Sequence, residues 1–219
     1  MEPIRFEIRY LLIESSNSLI LYAGVLQGIG LEIAKKLSEN GVHTVLACRN
    51  IEHEGIALEH FKHLGLDAEF RILDISDRNS IAHFVHGIER DFGKIDILVN
   101  NAAIAFKASD PTPFEQQARP TVHTNYFGTL WTTQALLPLL RKATNPRIVN
   151  VASSAGHLRI IPSKQIRDQF TSPDLTIDKL SALMEEFVEA VEAGKHAAEG
   201  WPNSCYGTSK LAVIALTQV

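Results

Sequence analysis

The chain has 219 residues, of which 45% are hydrophobic, 21% charged and 7% aromatic, with 13 Gly and 9 Pro. This is the profile of one globular domain and excludes a disordered, collagenous or coiled-coil chain. Lys and Arg number 21 against 25 Asp and Glu, a net charge of -4. No overall basic field exists to hold a phosphate backbone or an anionic bilayer surface, so neither nucleic acid nor membrane is expected as a partner. The two cysteines, Cys48 and Cys205, are too few for a disulfide framework and lack the paired spacing of a zinc site. Glu2, Arg5, Glu7 and Arg9 interrupt what a signal peptide would keep apolar, and no Asn-x-Ser/Thr acceptor occurs. A cytoplasmic location is expected.

From residue 18 onward, short aliphatic runs alternate with segments of helical period, the pattern of βαβ units around a parallel sheet. Strands are predicted at residues 18–23, 42–47, 68–73, 95–100 and 147–152, each a nearly continuous hydrophobic run as buried parallel strands require. The first predicted helix places Ile29, Ile33, Ala34 and Leu37 on one face and stops at Asn40-Gly41. A second is predicted at 54–64, ending at Gly65, and a third runs from an Asp77 N-cap to Gly93. A single long helix is predicted at 121–142. Residues 159–203 break the rhythm, with an amphipathic segment at 177–193 that sets Leu180, Leu183, Met184, Phe187 and Val191 on one side. The predicted fold class is α/β, a doubly wound, Rossmann-like parallel sheet in three α/β/α layers.

The motifs fall at the ends of these strands. Gly24-x-x-x-Gly28-x-Gly30 lies between the first strand and the first helix, where glycines let a pyrophosphate approach backbone N–H groups at a helix N-terminus; a strand-to-helix turn that binds nothing needs the same residues. An acidic residue about 20 positions after the glycines would hold a free ribose 2′-OH. Arg49 stands there instead, suited to the 2′-phosphate of NADP or else merely solvated. Asp74-Ile75 and Asn100-Asn101 close the third and fourth strands, where ligands bind in such sheets and where caps and turns also use Asp and Asn. Tyr206-Gly-Thr-Ser-Lys210 puts a phenol and an ammonium on one helical face at i, i+4. An ammonium so placed favours the phenolate and makes the phenol a proton donor for a carbonyl oxygen, although the same spacing occurs in surface pairs. Ser153 can donate to the same oxygen, and Asn125 could anchor a water that replenishes the proton through Lys210. The pairs His60-x-x-His63 and His83-x-x-His86 have no third ligand at a recognisable spacing, and no metal is assigned.

Taken in order, the Gly-x-x-x-Gly-Ile-Gly run, Asn-Asn-Ala, the Asn of Thr-Asn-Tyr-Phe-Gly-Thr, Ser-x-x-Gly and Tyr-x-x-x-Lys resemble the short-chain dehydrogenase/reductases. The long stretch between Ser153 and Tyr206, with the segments at 104–114 and 199–204, is similar to the NADPH-dependent carbonyl reductase branch, whose members are typically monomeric. The resemblance implies Asn125, Ser153, Tyr206 and Lys210 as catalytic residues. It implies Gly24, Gly28, Ile29, Gly30, Arg49, Asp74, Ile75, Asn101, Tyr206 and Lys210 as contacts of an NADPH cofactor. It implies a small-molecule aldehyde, ketone or quinone as substrate, with Phe106, Lys107, Gln117 and Ser153 at the substrate and with glutathione adducts among its candidates.

The departures are equally specific. Ala23 replaces the usual Thr before the first glycine, Val25-Leu26-Gln27 stand where polar or basic residues are usual, and Ala103 replaces a Gly. Residues 1–17 resemble nothing in the family and form an atypical N-terminal segment, as a substituted first exon would. Residues 18–219 are expected to be a single dinucleotide-binding and catalytic domain with a helical insertion at 159–203. The chain ends at Val219, soon after Lys210, whereas the family continues into further strands. The expected fold therefore lacks the last strands, and the alternative expectation is a truncated, catalytically inactive isoform or a non-catalytic binding protein.

Overall fold

A computed structural model describes residues 19–23, 29–50, 59, 61–66 and 68–219. Residues 1–17, Ser18, Gly24, Gly28, His60 and most of the helix predicted at 54–64 lie outside the described residues; of that helix, residues 59 and 61–63 are helical.

Five strands, β1 (Leu19–Ala23), β2 (His43–Cys48), β3 (Ala68–Ile72), β4 (Ile97–Asn100) and β5 (Arg147–Asn150), form one sheet in the order β3-β2-β1-β4-β5. Every pairing is parallel, with Leu21 opposite both Val45 and Leu98, and Val99 opposite Val149. Three predicted strands are shorter than expected, and at two of them a flanking backbone group bonds outside the sheet. Before β4, which begins at Ile97, Ile95 N–H donates to Leu139 C=O, while Asp96 still bonds Leu19 through its backbone N–H and its carboxylate. Val151 N–H still reaches Asn100 C=O, but Val151 C=O accepts from Lys210, and β5 ends at Asn150. β3 ends at Ile72, one residue early, while β2 is displaced by one residue to His43–Cys48.

Alternation along the strands sorts the side chains into two layers, because successive residues of a strand face opposite sides. On one side Leu21, Val45 and Leu98 pack against Ile81, Phe84 and Ile88 of α2 (Arg78–Phe92) and Leu136 and Leu139 of α4 (Thr129–Leu140). On the other, Leu46, Ile97 and Val99 pack with Phe61 and Ala34, the latter on α1 (Ile29–Glu39). The predicted three-layer arrangement is present.

The helix predicted at 121–142 is not one helix. It begins earlier, as α3 (Phe114–Val122), passes through a π-helical turn at His123–Gly128 and continues as α4. Asn125 and Tyr126, both in the π turn, are buried, and single π turns are common at functional sites. In the insertion, α5 (Lys164–Phe170) and α6 (Ile177–Glu192) are capped by Ser163 and Thr176. Leu180, Leu183, Met184, Phe187 and Val191, the predicted stripe, are all buried. With Val122, Tyr126 and residues of α7 (Cys205–Leu216) they build a second core beside the sheet. No helix among the described residues is long and apolar enough to cross a membrane.

Candidate active site

The sheet order reverses between β1 and β4, and a crevice at such a switch point, beyond the strand C-termini, is where ligands bind in open α/β sheets. Several of the described sequence-predicted residues follow the C-terminal ends of these strands. Ile29 and the buried Gly30 open α1, so its N-terminal N–H groups face the crevice. Arg49 follows β2 and is exposed. After β3, Asp74 accepts from the backbone N–H and hydroxyl of Ser76 at 2.9 and 2.6 Å, while its own N–H donates to Ser80 Oγ at 2.9 Å. Ile75 is buried, and its carbonyl lies so near Gly128 that a Cβ there would sit 2.7 Å from the oxygen. Asn101 follows β4 and is half-buried. Beside it, Asn100 Nδ2 donates to Asn150 Oδ1 at 2.8 Å and to Thr133 Oγ1 at 3.0 Å, tying the ends of β4 and β5 together.

Tyr206 and Lys210 lie one turn apart on α7, with the Lys210 ammonium 5.8 Å from the centre of the Tyr206 ring. Lys210 is 4% exposed, and its Nζ donates to Val151 C=O at 2.7 Å. Burial lowers its ammonium to about 8, since desolvation disfavours the charged form. Cys205, next to Tyr206, is a thiol that burial pushes up to about 12, which removes it as a nucleophile at neutral pH. Ser153 caps a short 3-10 turn at Ser154–Gly156, its Oγ accepting from Ala155 N–H at 3.1 Å. This turn lies directly on α7. A Cβ on Gly156 would be 2.7 Å from both Leu211 N and Lys210 C, and one on Gly207 would be 2.8 Å from Ala155 O. Backbone meets backbone along a seam between two glycines, which sets Ser153 beside the turn of helix that carries Tyr206 and Lys210.

Asn125, from the π turn, is 1% exposed. Its Oδ1 accepts from Ile104 N–H at 2.7 Å, and its Nδ2 donates to Ile104 C=O at 2.9 Å and to Ser209 Oγ at 3.0 Å. Both N–H groups of the amide are thus committed to protein. Of the predicted substrate residues, Phe106 is half-buried and Lys107 exposed in the loop after β4. Gln117, on α3, donates to Thr112 C=O at 2.7 Å. His63 and His83 each place Nδ1 against a carbonyl of their own helix, Glu59 at 2.8 Å and Asn79 at 2.9 Å.

Several residues that shape the site escape a reading of motifs. Gly207 and Ser209 occupy the variable positions of Tyr-x-x-x-Lys, and Ile104 acts through its backbone alone. Gly128, inside Thr-Asn-Tyr-Phe-Gly-Thr, and Gly156, inside Ser-x-x-Gly, were legible as motif members but not as contact points.

A family model described as short chain dehydrogenase matches residues 18–163. The chain is 38% identical over 208 residues to carbonyl reductase (NADPH) 1 of Mus musculus, covering 94% of this chain and 74% of that one. It is 39% identical over 203 residues to the Homo sapiens protein of the same name, covering 91% and 72%. Among solved structures, menthone neomenthol reductase from Mentha piperita superposes with a TM-score of 0.83 at 30% identity, over 91% of this chain and 83% of that one. Salutaridine reductase from Papaver somniferum does so with a TM-score of 0.85 at 28% identity, over 92% and 81%. The match spans β1 through the Ser153 turn, and the tyrosine and lysine then follow on α7 in the same fold: this chain belongs to the short chain dehydrogenases and is an oxidoreductase of that family.

Proposed function

We propose that the chain reduces carbonyl groups of aldehydes, ketones or quinones with NADPH, and that Tyr206 gives the proton. The observation that carries this reading is the glycine seam, which holds the Ser153 turn against the Tyr206 and Lys210 helix at the C-terminal edge of the sheet. The residues present fit the cofactor. The N-terminus of α1 offers N–H groups to a pyrophosphate, and Arg49 offers a guanidinium where a 2′-phosphate would lie. Asp74, Ile75 and Asn101 border the same crevice. Lys210, a buried cation with one donor given to Val151, has two more for ribose hydroxyls. Relatives 37–39% identical to the chain carry the name NADPH carbonyl reductase.

NADPH, when bound, supplies the hydride that reaches the carbonyl carbon. The protein's part is to bind, orient and protonate. Ser153 Oγ accepts from Ala155 N–H and so has its O–H to donate to the substrate oxygen. Tyr206 protonates that oxygen, and the Lys210 ammonium beside the ring offsets the charge left on the phenolate. Asn125 holds the loop and the helix at fixed spacing and has one lone pair of Oδ1 left for a water in the proton relay. Phe106, Lys107 and Gln117 would meet the substrate, and the Lys107 cation would favour acidic substrates such as glutathione adducts. The insertion covers α3 and α7 with its own core, which supports a monomer.

Titration of the purified chain with NADPH and NADH, followed by turnover assays, tests the reading. NADPH should bind more tightly than NADH, and Tyr206→Phe should lower kcat about 10²–10⁴-fold, the usual contribution of a general acid, without altering NADPH affinity. A Tyr206→Phe variant with near-normal kcat overturns the mechanism. A non-catalytic binding protein is the second reading, favoured by the exposure of three of the four residues of β5; a folded chain that binds neither cofactor would establish it.

A further inference from the structure

We infer that Ser209 is a positioning residue: it fastens the amide of Asn125 to the tyrosine helix, and through it locks the loop after β4 at a set distance from Tyr206. The inference rests on the reading of Tyr206 and Asn125 given above and adds a residue and a direction of bonding to it.

Ser209 is fully buried, at 0% exposure, between Tyr206 and Lys210. Its hydroxyl has one proton, which goes to Tyr206 C=O at 2.8 Å. Its lone pairs then face Asn125, whose Nδ2 donates to Oγ at 3.0 Å. The polarity of the chain is forced from the other end, since Ile104 presents an N–H to Oδ1 and a C=O to Nδ2. A flipped amide would set acceptor against acceptor at Ile104 C=O and donor against donor at Ile104 N–H. Three segments far apart in sequence therefore meet at one amide: the loop after β4, the π turn and α7. The neighbouring hydroxyl differs. Thr208 is equally buried but donates to the C=O of Ser204, the N-cap of its own helix.

Without the Ser209 hydroxyl, Nδ2 keeps one of its two partners, and a buried N–H is left unsatisfied. The amide is then held by Ile104 alone, and the loop that leads to Phe106 and Lys107 loses its tie to the proton donor. Small displacements of this kind reduce the chemical step far more than cofactor binding.

The test uses the full chain with Ser209→Ala, Asn125→Ala, their double variant, Thr208→Val and Tyr206→Phe. Amide hydrogen exchange at Ile104, read without cofactor, should speed up about tenfold in Ser209→Ala and stay unchanged in Thr208→Val. Turnover should show kcat about tenfold lower in Ser209→Ala, with Kd for NADPH within about twofold of the parent. The double variant should be no slower than Asn125→Ala, because both substitutions break one connection. The inference is overturned by unchanged exchange at Ile104, by equal effects in Thr208→Val, or by kcat losses that multiply in the double variant. Normal turnover of Ser209→Ala beside an inactive Tyr206→Phe overturns it alone, whereas an active Tyr206→Phe overturns the underlying reading of the site.

Discussion

The helix that carries Tyr206 and Lys210 and the strand that leads to Ser153 lie side by side yet are held in opposite ways. Nine residues of α7 are buried, including Ser209 and Lys210. In β5, Arg147, Ile148 and Val149 are exposed, the last two by 40% and 41%. Among the described residues, β5 has a strand partner on one side only, β4. Ser153 is therefore located by its contact with α7 through Gly156 and Gly207 rather than by the rigidity of the strand before it. The precision of the site derives from the helical core that the insertion completes.

That contrast can be broken from the helical side with the largest effect. Phe187 of α6 is fully buried and meets the Trp201 ring at 5.3 Å, so Phe187→Ala should cost about 3–5 kcal/mol, the usual loss for an aromatic removed from a core, in urea unfolding. The seam is the next target. A methyl group at Gly156 meets backbone atoms that have no side-chain freedom to yield, so Gly156→Ala should destabilise by about 1–3 kcal/mol as overpacking does. Its kcat should fall more than its NADPH affinity, and equal losses in both would show that the seam shapes the cofactor site instead.

A pH series sharpens the account of Lys210. Burial depresses its ammonium from 10.5 to about 8, so below pH 8 both folded and unfolded chains bind the proton and the native state bears the desolvation cost. Between about pH 8 and 10.5 the folded chain releases the proton first, the unfolded chain binds more, and stability due to this group rises with pH. Cys205 acts in reverse, because its raised thiol lets the unfolded chain ionise first above its ordinary value. Lys210→Met keeps Cys205, so the stability of the parent relative to that variant should increase from pH 8 to 10. A difference that is flat across this window would mean that Lys210 stays charged in the folded chain. The smallest effect belongs to the strand: Ile148→Thr, at an exposed position, should change stability by about 0.5 kcal/mol or less in the same unfolding assay. A loss of several kcal/mol would show that the edge of β5 is covered in solution.

The parts of the fold that repeat a short period were legible in the sequence, and those that depend on a change of period were not. Continuous aliphatic runs reflect burial on two faces and the i, i+3, i+4 stripe of α6 burial on one, so all five strands and the buried set from Leu180 to Val191 could be predicted. The segment at 121–142 keeps an apolar, helical composition throughout, and nothing in it marks the π turn at His123–Gly128, from which Asn125 reaches both Ile104 and Ser209. The strand boundaries at Ile97 and Asn150 were missed for a similar reason, since Leu139 takes the Ile95 N–H and Lys210 takes the Val151 C=O.

The sequence by itself determined the relations that span one turn or one strand. Tyr206 and Lys210 share a face because of helical pitch, the strand layers follow from residue alternation, and the order of the motifs identifies the family. Tertiary structure alone decided which groups close the distance between segments. Asn125 is linked to a residue 21 positions before it and to another 84 positions after it, and Gly156 and Gly207 matter because two backbones touch there. Those facts have no local signature, since a serine, a glycine or a backbone amide has the same chemistry wherever it stands, and only packing decides what faces it.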